Sequence, residues 1–222
     1  MKPITQFAQT RPPRSRVESM TDIPFTEKPK VLDKFITEHE QNLLTNSFSG
    51  AIWRYGWPIN TIPLARPCWH IFIAGSKRTS LECCEHELAS DSHWGFLLDI
   101  WRRTQLAHMR DCLLLGVYAN GQTFGQDSPI HRDNKSIEPG KTAVLFCNAQ
   151  WETTWGGELI LFDQQKNDTI AAIQPKPGRI AIFDGHIPHR ARAPTVDCDK
   201  LRITIAFKTM NKDIKQLAHA PN

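Results

Sequence analysis

Two periodicities divide the chain. Before about residue 107 apolar positions recur at three- and four-residue intervals; beyond 110 they come in short blocks broken by Gly, Pro, Asn and Asp. Leu32, Phe35, Ile36, His39 and Leu43 follow Pro29, which suits a first helical turn, and predict a helix beginning at Lys30. Leu88, Trp94, Leu97, Leu98 and Trp101 form a second stripe and predict a helix from about Glu85 to Ala107. IWRYGWPIN and CWHIFIAG, between the two, have the character of short strands, and so do CLLLGVYA, TAVLFCN, GELILF, TIAAIQP, GRIAIF and LRITIAF further on. Many short, closely spaced strands predict a sandwich or barrel rather than a parallel βαβ sheet. The expected fold class is mainly β with flanking helices (α+β). It is one domain over 25–222, with a helical layer at 25–110 bracing a β core at 111–210.

Composition adds limits. A chain of 222 residues, 40% apolar and 23% charged, is ordinary globular material and long enough for one larger core. Its formal charge of +4 is mild, and Arg11, Arg14 and Arg16 concentrate the excess in residues 1–24, expected to be a flexible basic arm. That charge alone does not argue for nucleic acid. The first twenty residues lack the apolar core of a secretory signal, and no run approaches the ~20 apolar residues of a membrane span. The six cysteines form no CxxC pair, so reduced thiols and a cytoplasmic location are expected. Cys83, Cys84 and His86 match no common zinc spacing. Neither GxGxxG nor GxxxxGK[ST] stands in a nucleotide-binding context.

Chemistry concentrates in SPIHRDN, residues 128–134. On an extended segment His131 and Asp133 project to one face and Arg132 to the other. An imidazole and a carboxylate presented together are two arms of a facial triad for non-haem iron(II). FDGHIPHRARAP offers His186 and His189 as the third arm. Pro188 favours an extended backbone leading into His189, so His189 is the preferred ligand and His186 a neighbour at the mouth.

From about Leu113 to Lys208 the chain resembles the iron(II)/2-oxoglutarate-dependent oxygenases, in their prolyl-4-hydroxylase-like branch. The resemblance rests on HRD, GGEL, PKPGRIAIF, HRARAP and a closing arginine in LRITIAFK, in that order. It implies a double-stranded β-helix, a cupin-like jelly-roll barrel, using iron(II), 2-oxoglutarate as co-substrate and O2, with ascorbate as an optional reductant. It also implies hydroxylation of an unactivated C–H bond with release of succinate and carbon dioxide. The carboxylate of Asp133 favours hydroxylation over halogenation. Arg202, Thr204, Ala206 and Lys208 share one strand face, and Arg202 with Thr204 is similar to the family's Arg-x-Ser/Thr grip on 2-oxoglutarate. Tyr118 matches a family tyrosine that lines this pocket. Phe146 replaces a family tyrosine and cannot donate a hydrogen bond. Lys208 lies ~20 Å along the strand from Arg202 and is expected to be a solvated strand end.

For the substrate wall the candidates are Arg132, Asn134, Phe146, Trp155 and His186, with Trp53, Tyr55, Trp57 and Trp69 as either a lid or packing between layers. The loop YANGQTFGQDSP is where a substrate would be read. A small molecule or amino acid is the leading partner, a protein side chain the next, and no membrane partner is expected. An AlkB-type nucleic-acid dealkylase is disfavoured, because RITIAFK lacks that family's asparagine and no basic groove is evident. A non-enzymatic cupin-like binding module would not bind iron and 2-oxoglutarate together.

Overall fold

The computed structural model describes residues 28–57, 68–75, 82–134 and 140–212; the arm expected at 1–24 and the Trp57 side chain lie outside the described residues. Among the described residues ten strands build two antiparallel sheets: β1 (Lys30–Leu32), β2 (Arg54–Trp57), β3 (Cys68–Ala74), β4 (Cys112–Gln122), β5 (Lys141–Phe146), β6 (Leu159–Phe162), β7 (Thr169–Ile173), β8 (Ile180–Asp184), β9 (His189–Ala191) and β10 (Arg202–Asn211). The larger sheet runs β1-β8-β5-β10-β4-β3-β2 and the smaller β7-β6-β9. Together they form the jelly-roll barrel.

Alternation along the strands explains the layering. In β5, Val144 and Phe146 pack with Ala181 and Phe183 of β8, Leu159 and Leu161 of β6 and Ile173 of β7, filling the space between the sheets. The alternate residues Ala143 and Leu145, with Ile180, Ile182, Ile205 and Phe207, face the helical layer and meet Leu44, Leu97 and Trp101. The central strands β8, β5 and β10 are therefore buried on both faces, which is why they carry near-continuous apolar runs.

The helical layer differs from expectation in two places. The first helix, α1, spans Glu38–Ser49 rather than starting at Lys30. Thr37 caps it: its side chain accepts from Glu40 N, and the Glu40 carboxylate accepts from Thr37 N at 2.7 Å. Its buried face is Leu44 and Phe48, whereas His39 is exposed. Residues 30–32 are instead an edge strand paired with β8. The second helix is two, α2 (Glu85–Ser90) and α3 (Leu97–His108). Asp91 Oδ1 accepts from both His93 N and Trp94 N at 2.8 Å, and this local turn interrupts the helix. The predicted stripe nonetheless stays buried throughout. Among the described residues no helix is long and apolar enough to cross a membrane, and the six cysteines are free thiols.

Candidate metal centre

Residues 131–134 are stitched between two parts of the barrel. His131 and His189 exchange backbone N–H···O bonds of 2.9 Å, and Asp133 N and Asn134 N both donate to Gly185 O at 2.7 and 2.9 Å. This brings the side chains of His131, Asp133 and His189 together, with potential ligand atoms all within 4.8 Å of one another. His131 Nε2 lies 3.7 Å from Asp133 Oδ1, and His189 Nε2 lies 3.6 Å from Asp133 Oδ2. Each ring's Nδ1 approaches a backbone carbonyl, Pro129 O at 3.0 Å and Ile187 O at 2.8 Å. A carbonyl can only accept, so Nδ1 holds the proton in both rings and the Nε2 lone pairs face the gap. His186 does not join this group.

One registered row of the larger sheet supports the centre. Lys208 of β10 pairs with Thr142 of β5, which pairs with Phe183 of β8. Thr142 Oγ1 donates to Asp133 Oδ2 at 2.7 Å, Lys208 Nζ lies 3.4 Å from Asp133 Oδ1, and the Phe183 ring packs edge-on to His189. Burial would raise the Asp133 carboxyl, but Lys208, His189, His131 and the Thr142 hydroxyl together hold it below the usual carboxylate range. Burial pushes the His189 ring down to about 4, despite the attraction of Asp133. Two imidazoles and one carboxylate converging from one side fit a divalent ion such as iron(II), with further positions left for other ligands.

Three rows away on β10 lies a second polar centre. Arg202 is 1% exposed; its Nε donates to Gly157 O at 2.6 Å and its Nη1 to Gln122 Oε1 at 2.9 Å. Its Nη2 is buried and has no hydrogen-bond partner in the protein. Burial pushes the group down to about 10, which leaves it charged at neutral pH. An unpaired buried donor of this kind costs about 1–3 kcal/mol, and a carboxylate would satisfy it. The guanidinium carbon sits 5.5 Å from the Phe146 ring centroid, over the row next to its own in the direction of the metal. Thr204 is buried on that next row, opposite Phe146 and Asn120. The row between Thr204 and Lys208 is small-sided, Ala206 with Val144 and Ala181, with Tyr118 opposite Ala206 at its edge. This surface fits a short diacid such as 2-oxoglutarate.

The residues expected to wall the substrate are distributed differently. Arg132 donates to the side chain and carbonyl of Gln164 and, at 2.5 Å, to His186 O, bracing the HRD segment against the β6–β7 turn. Asn134 Nδ2 donates to Thr209 O at 2.9 Å. Trp155 stands edge-on to Trp151 at 5.5 Å, and Phe146 lies beneath Arg202. Trp53 stacks on Phe48, whereas Tyr55 and Trp69 pack on each other at 4.9 Å.

Sequence reasoning missed four residues here: Thr142, Gln122, Gly157 and Lys208. Thr142 and Gln122 are ordinary strand residues whose partners, Asp133 in the HRD segment and Arg202 on β10, are apart from them in sequence. Gly157 had a signal in the GG pair: its φ is +79°, and a Cβ there would press on the Arg202 side chain at 3.0 Å. Lys208 was read as a solvated strand end and instead reaches Asp133.

Residues 115–208 match the family model described as the 2OG-Fe(II) oxygenase superfamily. No curated protein sequence matches the chain. A 2OG-Fe(II) oxygenase family oxidoreductase from Burkholderia pseudomallei superposes with a TM-score of 0.63 at 12% identity, covering 83% of this chain and 88% of that one. A prolyl hydroxylase from Trichoplax adhaerens, solved with a hypoxia-inducible-factor peptide, gives 0.59 at 15% identity over 87% and 88%. A Pseudomonas putida prolyl-4-hydroxylase gives 0.53 at 16% identity over 84% and 94%. At such identities these likenesses establish the fold.

Proposed function

As a member of the 2OG-Fe(II) oxygenase superfamily, matched over residues 115–208, the chain is an iron(II)- and 2-oxoglutarate-dependent dioxygenase, and we propose that it hydroxylates a C–H bond of a small molecule or amino acid. In this reading His131, Asp133 and His189 hold the metal, Arg202 and Thr204 hold the far carboxylate of 2-oxoglutarate, and Tyr118 lines the space between. Bound iron and 2-oxoglutarate supply, with O2, the oxidant, releasing succinate and carbon dioxide. Thr142 orients the Asp133 carboxylate, the carbonyls of Pro129 and Ile187 fix the two rings, and Phe183 keeps water from the His189 side.

The observation that carries the reading is the unpartnered buried Nη2 of Arg202, on the strand face that also supports Asp133. The small substrate is supported by how Arg132 and Asn134 are used. Arg132 and the Asn134 amide nitrogen both donate to scaffold carbonyls, so these donors are not turned outward to read a long chain. A protein substrate is the second reading, favoured by the fold shared with the peptide-bound Trichoplax adhaerens prolyl hydroxylase.

Anaerobic titration of iron(II) into the protein with 2-oxoglutarate tests the centre: a weak visible charge-transfer band is expected, with succinate formed on admitting O2. No band and no succinate would leave a cupin-like binding module. Succinate release is then compared with free amino acids, small organic acids and proline-containing peptides. Stimulation by peptides alone replaces the small-molecule reading with the protein one.

A further inference from the structure

Lys208 has no part in the reading above, yet it stands beside the proposed metal ligands. Its ammonium is 3.4 Å from Asp133 Oδ1, while Thr142 occupies Oδ2. The converging ligand set contains one carboxylate, so Lys208 already balances the centre's negative charge. A divalent ion arriving alone meets a neutral pocket with a cation one carboxylate away, and like charges at that range inside a protein repel strongly. The ammonium has three donors and its side chain is one-third exposed, so it can also meet a ligand approaching the metal. The register of β10 against β4 shifts between Lys208 and Thr209, a local irregularity of the kind that re-aims side chains beside a site. At the other end of the same strand face, Arg202 offers its unsatisfied donor.

We propose that Lys208 couples metal retention to carboxylate binding: it weakens the hold on a divalent ion alone and strengthens it once a carboxylate joins the metal. The inference rests on the His131–Asp133–His189 reading. The chemistry recognised is a metal-bound carboxylate, which could come from 2-oxoglutarate or from the substrate. The inference assigns it to 2-oxoglutarate, because Arg202 meets the second carboxylate of the same dianion.

The test is calorimetric titration of Mn(II) into the metal-free full chain, with and without saturating 2-oxoglutarate and with no substrate present. In the wild type 2-oxoglutarate is expected to tighten metal binding strongly. Lys208→Met is expected to bind Mn(II) alone about tenfold more tightly but Mn(II) with 2-oxoglutarate less tightly than the wild type, a loss of coupling well beyond about tenfold, while Lys208→Arg, which keeps the charge, retains it. By reciprocity the ratio of 2-oxoglutarate affinities of the Mn(II)-loaded and metal-free proteins falls in Lys208→Met by the same factor. Unchanged coupling, or weaker binding of Mn(II) alone by Lys208→Met, overturns the inference, and unchanged coupling assigns any carboxylate at Lys208 to the substrate. If His189→Ala binds Mn(II) as well as the wild type, the ligand reading fails and takes the inference with it. Loss of metal by His189→Ala but retention by Lys208→Met separates the two.

Discussion

At the scale of single residues, the distinction between His186 and His189 is the sharpest available. His189 is buried with its Nε2 facing Asp133, whereas His186 contributes a carbonyl to Arg132. His189→Ala is expected to abolish metal-dependent succinate formation, and His186→Ala to leave measurable turnover; the reverse pattern would exchange their roles. Arg202→Ala is expected to raise the 2-oxoglutarate concentration needed for half-maximal turnover more than tenfold, since a buried charge-assisted contact contributes about 1.5–3 kcal/mol. An unchanged requirement would remove Arg202 from the co-substrate site. HRD and His189 stood out as candidates in the sequence, through the two-residue spacing of His131 and Asp133 and the Pro188 before His189, and Arg202 through the resemblance of LRITIAFK to the family's closing strand. Lys208 did not. Its partner Asp133 lies 75 positions away, and they meet through the pairing of β10 with β5, which sets Lys208 beside Thr142, and the anchoring of Asp133 N on Gly185 O.

At the scale of elements, Gly185 after β8 holds the HRD segment in place. Its carbonyl receives both Asp133 N and Asn134 N, and a Cβ at this position would fall on the Asn134 side-chain oxygen. Gly185→Ala is therefore expected to cost about 1–3 kcal/mol through overpacking and to weaken metal binding. Both effects can be read by thermal melting and Mn(II) titration. Gly50→Ala is the control, because nothing lies within 4 Å of a Cβ there; a metal affinity unchanged in both proteins would show that the turn does not position Asp133. The elements also show why the helix boundaries shifted. Apolar spacing marks a buried stripe but not which backbone partner a short segment finds. Lys30–Leu32 are fixed by hydrogen bonding to β8, and the Glu85–His108 stretch is divided by the Asp91 side chain.

For the whole molecule, the proposed ligands His131, Asp133 and His189 come from segments that meet only in the folded barrel, so metal and 2-oxoglutarate held there would bind the native state and stabilise it. At one hundred times the dissociation constant a ligand adds about 2.7 kcal/mol. For a chain of this length that corresponds to a rise in Tm of roughly 5–10 °C. Melting curves with Mn(II) plus 2-oxoglutarate should show this rise and should lose it in His189→Ala; no rise in the wild type would mean that the folded barrel does not bind them. The sequence by itself determined the strand-rich half, the buried stripes of the helices and the residues able to hold a metal, because side-chain periodicity and ligand spacing are local properties. Tertiary structure alone decided strand register. That register aligned Thr142 with Lys208, set Gln122 opposite Arg202 and left a small-sided row between the two centres, while the segments carrying Asp133 and Gly157 packed onto those strands. Hydrophobic alternation fixes which face each residue takes, but which residue of a distant strand stands opposite it is decided only when the strands pack.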